Sequence, residues 1–255
     1  MISTIWENKL KSKIIKKIAV IVFWLAVWQA VSMAVNESLI IVSPWDTLVR
    51  MWELLGESTF YKAVGTSFLN IGIGFVCAAI LGTLLAVISR IFRFAYELLS
   101  PLFAVIKATP VASFTLILFF WGIKGKHLSV WISLIMVLPV IFFAVYEGIG
   151  AADKKLLEMA KVYKVSKAKQ IREIYLPAAL PSVTSALSVA IGFAWKSGVA
   201  AEVIAIAGGS VGGLLYDAKL FLESKDLFAI TATVIIISKL SEWLVVKLFK
   251  SREAE

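Results

Sequence analysis

Apolar runs of about twenty residues alternate along this chain with short segments rich in Lys and Arg. A bilayer hydrocarbon core about 30 Å thick is crossed by roughly 20 residues of helix. By that measure the pattern predicts six spans, at residues 18–35, 64–89, 98–122, 128–147, 181–206 and 227–248. The expected fold class is an all-α polytopic membrane protein with about six transmembrane helices. A basic N-terminus (1–17) precedes a single membrane domain (18–250), and a short tail (251–255) follows it. A mean hydropathy of +0.89, with 60% hydrophobic and 17% charged residues, excludes an ordinary soluble domain. The first apolar run follows five lysines but lacks a short core with a small-residue cleavage motif. It reads as an uncleaved span rather than a signal peptide.

Charge adds orientation. The net charge of +9 sits in short segments beside apolar runs, which is the pattern of membrane loops and not of a nucleic-acid groove. With the N-terminus placed inside, 17 Lys and Arg fall on inner segments and six on outer ones. The asymmetry predicts both termini in the cytoplasm of a bacterial cell, with the chain embedded in membrane lipid. The single cysteine, Cys77, lies in an apolar run, so no disulfide within the chain is possible.

The second span carries Gly74, Ala78, Gly82 and Ala86, a small residue every four positions. Such a stripe lets another helix backbone approach closely, which is how helices associate in lipid. Packing is the expected role.

The 148–180 segment is different. It holds seven basic residues (Lys154, Lys155, Lys161, Lys164, Lys167, Lys169 and Arg172) and faces the cytoplasm in this topology. Leu156, Leu157, Ala160 and Tyr163 or Lys164 recur at helical spacing. Ser166 is a candidate N-cap for a second short helix carrying Ile171 and Ile174. Pro177 and Pro181 are expected to punctuate the way into the fifth span. Two short helices standing out from the membrane are predicted, either as a contact for another protein or as an amphipathic hairpin lying on anionic lipid.

The stretch "EMAKVYKVSKAKQIREIYLP" resembles the EAA loop of permease subunits of ATP-binding cassette importers. That pattern is Glu-Ala-Ala, three residues, Gly, nine residues, Ile, any residue, Leu-Pro. Glu158, Ala160, Ile174, Leu176 and Pro177 match it; Met159 replaces the first Ala and Lys164 stands at the Gly. A Gly supplying a left-handed turn there would oblige Lys164 to do the same at a steric cost. The segments "SFLNIGIGF", "PLFAVIKATPVASFTLILFFWGIK" and "FAWKSGVAAEVIAIAGG" are similar to the nitrate, sulfonate and taurine type within that superfamily. The resemblance implies a type I importer permease fold and a dimer of permease subunits, expected to be a homodimer. It also implies two cytoplasmic ATPase subunits, which carry the ATP and Mg²⁺, and an external solute-binding protein. It implies no cofactor on this chain. The loop helix would sit in a groove of the ATPase with Leu157, Ala160 and Tyr163 as its apolar knobs. The chain has no G-x-x-x-x-G-K-[ST] loop, and "GGSVGG" at 208–213 lacks the lysine and reads as a turn.

Charges within spans are costly and face a cavity or a partner. Lys239 and Glu242, three apart, are expected to pair. Lys107, before Thr109-Pro110 where a bend is expected, either lines a pathway or snorkels to the cytoplasmic surface. Lys196 and Glu202 are six apart and point to different faces, whereas Trp195 and Glu202 share one. The candidate pathway set is therefore Lys107, Trp195, Lys196 and Glu202. Lys196 is positioned to attract a small anion, and an ion pair with another helix or subunit is the competing reading for Lys196 and Glu202. The lone histidine, His127, falls in an outer turn, and no His or carboxylate cluster suggests a metal. An ion-coupled transporter without an ATPase is the alternative function. An intramembrane enzyme lacks a convergent nucleophile and base.

Overall fold

A computed structural model describes residues 2–250 and the side chains of 15–248. It is built of helices joined by short links: α1 (Ile2–Val35), α2 (Pro44–Leu54), α3 (Ser58–Ile91), α4 (Arg93–Ala108), α5 (Val111–Phe120), α6 (His127–Gly150), α7 (Lys154–Val162), α8 (Lys167–Gln170), α9 (Leu176–Ile204), α10 (Val211–Leu220) and α11 (Ser224–Lys250). Among the described residues five are long and apolar enough to cross a membrane, or six when the bent pair α4–α5 is counted as one span. The 251–255 tail lies outside the described residues.

The predicted third span is not one rod. It breaks at Thr109-Pro110, and its two halves meet at 102°. Proline biases the residue before it away from helical geometry, and Thr109 is accordingly extended (ψ 133°).

The chain divides into two compact units. One comprises the chain up to Glu57 with Asp217–Ala232; the other comprises Ser58–Tyr216 and the chain from Thr233 on. In the first, residues Ile15–Val35 of α1 form a nearly bare apolar stretch held by Trp28, whose Nε1 donates to the Val42 carbonyl at 2.9 Å and whose ring stacks on Phe228. The α2 helix, absent from the sequence-based expectation, starts with a Ser43 N-cap and Pro44 in the first turn. Its Arg50 binds Asp226 (Nη2 to Oδ2, 2.9 Å) and also pairs with Glu53 and Glu57. The hydrogen bond from Arg50 to Asp226 holds the guanidinium above its already high ordinary value.

In the second unit α6 is the central helix, flanked by α3 and α9. The small-residue stripe of α3 is buried as predicted. A side chain at Gly74 would strike the Val130 carbonyl and come 2.9 Å from Ser133 Cβ; one at Gly82 would meet Ile141 at 3.1 Å. On α9, a Cβ at Gly198 would come 2.6 Å from Ile71 and 2.7 Å from Ser133 Oγ. Lys239 and Glu242 pair at 2.7 Å, and Ser188 Oγ also donates to Glu242 at 2.6 Å, tying α9 to α11.

Gly72 and Gly74 separate this packing from helix propensity. An added methyl at Gly72 would enter open space, whereas one at Gly74 would not. Gly74→Ala is expected to lower stability by about 1–3 kcal/mol through overpacking. Gly72→Ala should be neutral or stabilising by up to about 1 kcal/mol. Thermal unfolding of the two purified variants measures this, and equal shifts would exclude the close α3–α6 contact.

Candidate functional site

The polar segment between α6 and α9 is ordered by local capping. Asp153, which the periodic pattern does not single out, caps α7 by accepting from Lys155 N at 2.8 Å. At the other end Val165 N donates to the Ala160 carbonyl (2.8 Å) and Lys164 N to the Lys161 carbonyl (3.2 Å). This is the paired bond pattern of a Schellman cap, with Lys164 at its left-handed position (φ +51°). The lysine at the expected glycine position thus makes the turn that a glycine would. Ser166 caps α8, accepting from Lys169 N at 3.4 Å.

Beyond α8 the structure departs from the expectation. The prolines do not stop the helix. Residues Ile171–Tyr175 form one π-helical turn, and Lys167–Ile204 runs on as a continuous helix. Pro177 lacks an N–H and crowds the carbonyl four residues before it; widening the preceding turn accommodates both.

Exposure also redistributes the expected knobs. Ala160 is buried and Leu157 half-buried, so both face the protein. Tyr163 remains exposed (75%), joined by Leu156, Met159 and Val162. Leu156, Met159 and Tyr163 lie at i, i+3 and i+7 on one face of α7. Exposed Glu158 lies next to them, and a cleft of 390 Å³ separates α7 from the segment bearing Lys169, Glu173 and half-buried Ile174. Leu176 and Pro177 are exposed at the start of α9.

The four candidate pathway residues separate into two pairs. Trp195 and Glu202 are in the core, at 2% and 0% exposure. Trp195 Nε1 donates to Ser241 Oγ at 3.3 Å, and its ring lies against Phe68. Glu202 forms no ion pair within the chain among the described residues. Its Oε2 accepts from Ser67 Oγ (2.7 Å) and Gly212 N (3.1 Å), while Ser67 Oγ accepts from Val211 N (2.9 Å). Ser210 Oγ accepts from Gly213 N at 3.0 Å. Three successive N–H groups opening α10 are therefore satisfied by Ser67, Glu202 and Ser210. A carboxylate at a helix N-terminus answers both its orphan donors and its dipole. "GGSVGG" is thus half turn and half first turn of a helix. Gly212 must be small because a Cβ there would run into Glu202 Cβ.

Lys107 and Lys196 are exposed. Lys107 Nζ lies 5.2 Å from the Phe143 ring centroid. Lys196, deep in a long apolar helix, has no carboxylate within ion-pair distance among the described residues.

Comparison with known proteins gives consistent matches. The family described as "Binding-protein-dependent transport system inner membrane component" matches residues 78–252, more than half of the chain. SsuC of Bacillus subtilis (strain 168), named for transport of aliphatic sulfonates, is 25% identical over 86% of this chain and 79% of its own length. The nitrate import permease protein NrtB of Synechocystis sp. is 26% identical over 81% of this chain and 77% of its own. Among solved structures, a chain of the MetNI methionine ABC transporter superposes with a TM-score of 0.59 at 16% identity, covering 79% of this chain and 97% of that one. That likeness shows a shared fold.

Three substitutions at two positions test these local arguments. Glu202→Ala strands Gly212 N and Ser67 Oγ and is expected to cost about 2–4 kcal/mol, while Glu202→Gln keeps an acceptor and recovers at least half of that. Lys164→Gly removes a left-handed penalty of about 1–2 kcal/mol against an entropic cost of about 0.5–1 kcal/mol, so the variant should be slightly more stable. Thermal melts of the detergent-purified protein read both signs.

Proposed function

The chain belongs to the family of binding-protein-dependent transport system inner membrane components, the permease subunits of ATP-binding cassette importers, and on that premise we propose how this one works. Two copies form the translocation pathway. Cytoplasmic ATPase subunits, which carry the ATP and Mg²⁺, dock on α7, and an extracytoplasmic binding protein delivers the solute. This chain hydrolyses nothing itself. Both termini lie in the cytoplasm in this reading, which the Lys and Arg asymmetry supports.

The observation that carries the reading is the exposed Leu156–Met159–Tyr163 face of α7 on a polar segment. Unpartnered apolar side chains at i, i+3 and i+7 suit a helix laid into a groove. The α8 end of the same segment is continuous with a membrane-spanning helix. ATP favours the closed ATPase pair, and the work available equals its differential binding to the two states of the transporter. An ion-coupled transporter needs no such face, and family membership sets that alternative aside.

The solute is a small anion, of the class of a sulfonate, taurine or nitrate. Lys196 supports this: an exposed ammonium within a span is tolerable only against water, a cavity or a partner. Lys196 and Lys107 line the route, while Trp195 and Glu202 brace it from within. Selection among anions falls on the binding protein.

Glu158→Lys is expected to uncouple ATP hydrolysis from uptake while the protein remains in the membrane. Unchanged uptake in reconstituted vesicles would remove α7 as the docking helix. Lys196→Gln should lower uptake of the anionic substrate about tenfold without altering basal ATPase rate. Topology has its own test in a Cys77→Ser background: a thiol introduced at Val162 should resist an impermeant reagent in intact cells. Labelling there would place α7 outside.

A further inference from the structure

Between α3 and α9, floored by α6, runs a groove of 830 Å³ that the transport reading does not use. Its walls are apolar along most of their length, from Val87 on α3, Val145 on α6, and Val183 and Leu187 on α9. At one end the lining changes to Arg90, Lys154 and Lys167, contributed by the last turn of α3 and the first turns of α7 and α8. No Asp or Glu lines the groove, and among the described residues no carboxylate pairs with these three cations. Arg90 is held in place: its guanidinium lies 5.0 Å from the centre of the Tyr146 ring, and Gly150 beside it is bare, since a Cβ there would come 2.6 Å from Nη2.

An apolar trough that ends in three uncompensated cations matches one amphiphile of the membrane itself. We propose that the groove holds an anionic phospholipid, with an acyl chain in the trough and its phosphodiester among Arg90, Lys154 and Lys167. Charge complementarity selects the anionic lipid over a zwitterionic one. Because the trough opens along membrane-spanning helices, the ligand need not leave the bilayer to reach it. The headgroup would bridge the end of α3 to α7 and α8, making the stiffness of that junction depend on lipid composition.

The test uses the purified transporter and native mass spectrometry with added phosphatidylglycerol or phosphatidylcholine. Wild type should retain phosphatidylglycerol in preference to phosphatidylcholine. The triple variant Arg90→Gln, Lys154→Gln, Lys167→Gln should lose that retention by about a hundredfold, at roughly fivefold per cation removed. Lys62→Gln, Lys124→Gln, Lys126→Gln removes the same charge elsewhere on the exposed surface and should retain the lipid. Should the triple variant fail to fold, photoactivatable phosphatidylglycerol on the wild type should label Thr83–Arg90 or Lys154–Lys167. Equal retention of the two lipids, equal loss in the control variant, or labelling confined to other helices would overturn the proposal. So would displacement of the lipid by octanesulfonate at micromolar levels, which would make the groove a solute site.

Discussion

Helices in lipid gain little from hiding apolar surface, so they stay together only where their backbones come close. In this protein that condition is met at several small residues, and most tightly at one node. Gly74 on α3 lies against Val130 and Ser133 of α6, and Gly198 on α9 lies against Ile71 of α3 and the same Ser133. The flanking contacts (Phe103 edge-on to Phe142, Trp195 against Phe68) fill the space that this approach leaves.

A second constraint concerns backbone groups that a buried helix end leaves unpaired. Starting α10 inside the protein exposes donors to a medium with no water. Ser67, Glu202 and Ser210 supply the missing acceptors, so the acidic side chain of Glu202 has a structural reason to be buried at this helix terminus without a cation. Glu202 is thus better understood as a cap than as half of a salt bridge.

Much of this is legible in the sequence because its signals are periodic. Runs of apolar residues mark the spans, the four-residue spacing of small residues marks the α3 face, and the spacing of Lys239 and Glu242 marks their pair. Spacing also separates the faces of Lys196 and Glu202. Other features depend on contacts between distant segments, and no periodicity carries them. Glu202 meets Ser67 across 135 positions of chain, and nothing near either residue announces the other. The inward turn of Ala160 and Leu157 is likewise decided by what packs beneath α7. Pro177 misleads for a different reason: a proline reads as a stop, whereas a local π turn absorbs it. Asp153 and Pro44 are legible as helix starts, since each carries ordinary capping chemistry, but the long apolar runs on either side dominate the pattern around them.

The unbroken path from Lys167 to Ile204 has a mechanical meaning. At 1.5 Å per residue it is a rod about 57 Å long. Pivoted near one end, such a rod converts a tilt of about ten degrees into a displacement of about 10 Å at the other. With the close crossing at Gly198 as its fulcrum, the long arm lies on the Lys167 side, so a large movement there would become a small, forceful one beyond the crossing. The widened turn at 171–175 is a place along it where a push could be softened before it reaches the membrane interior.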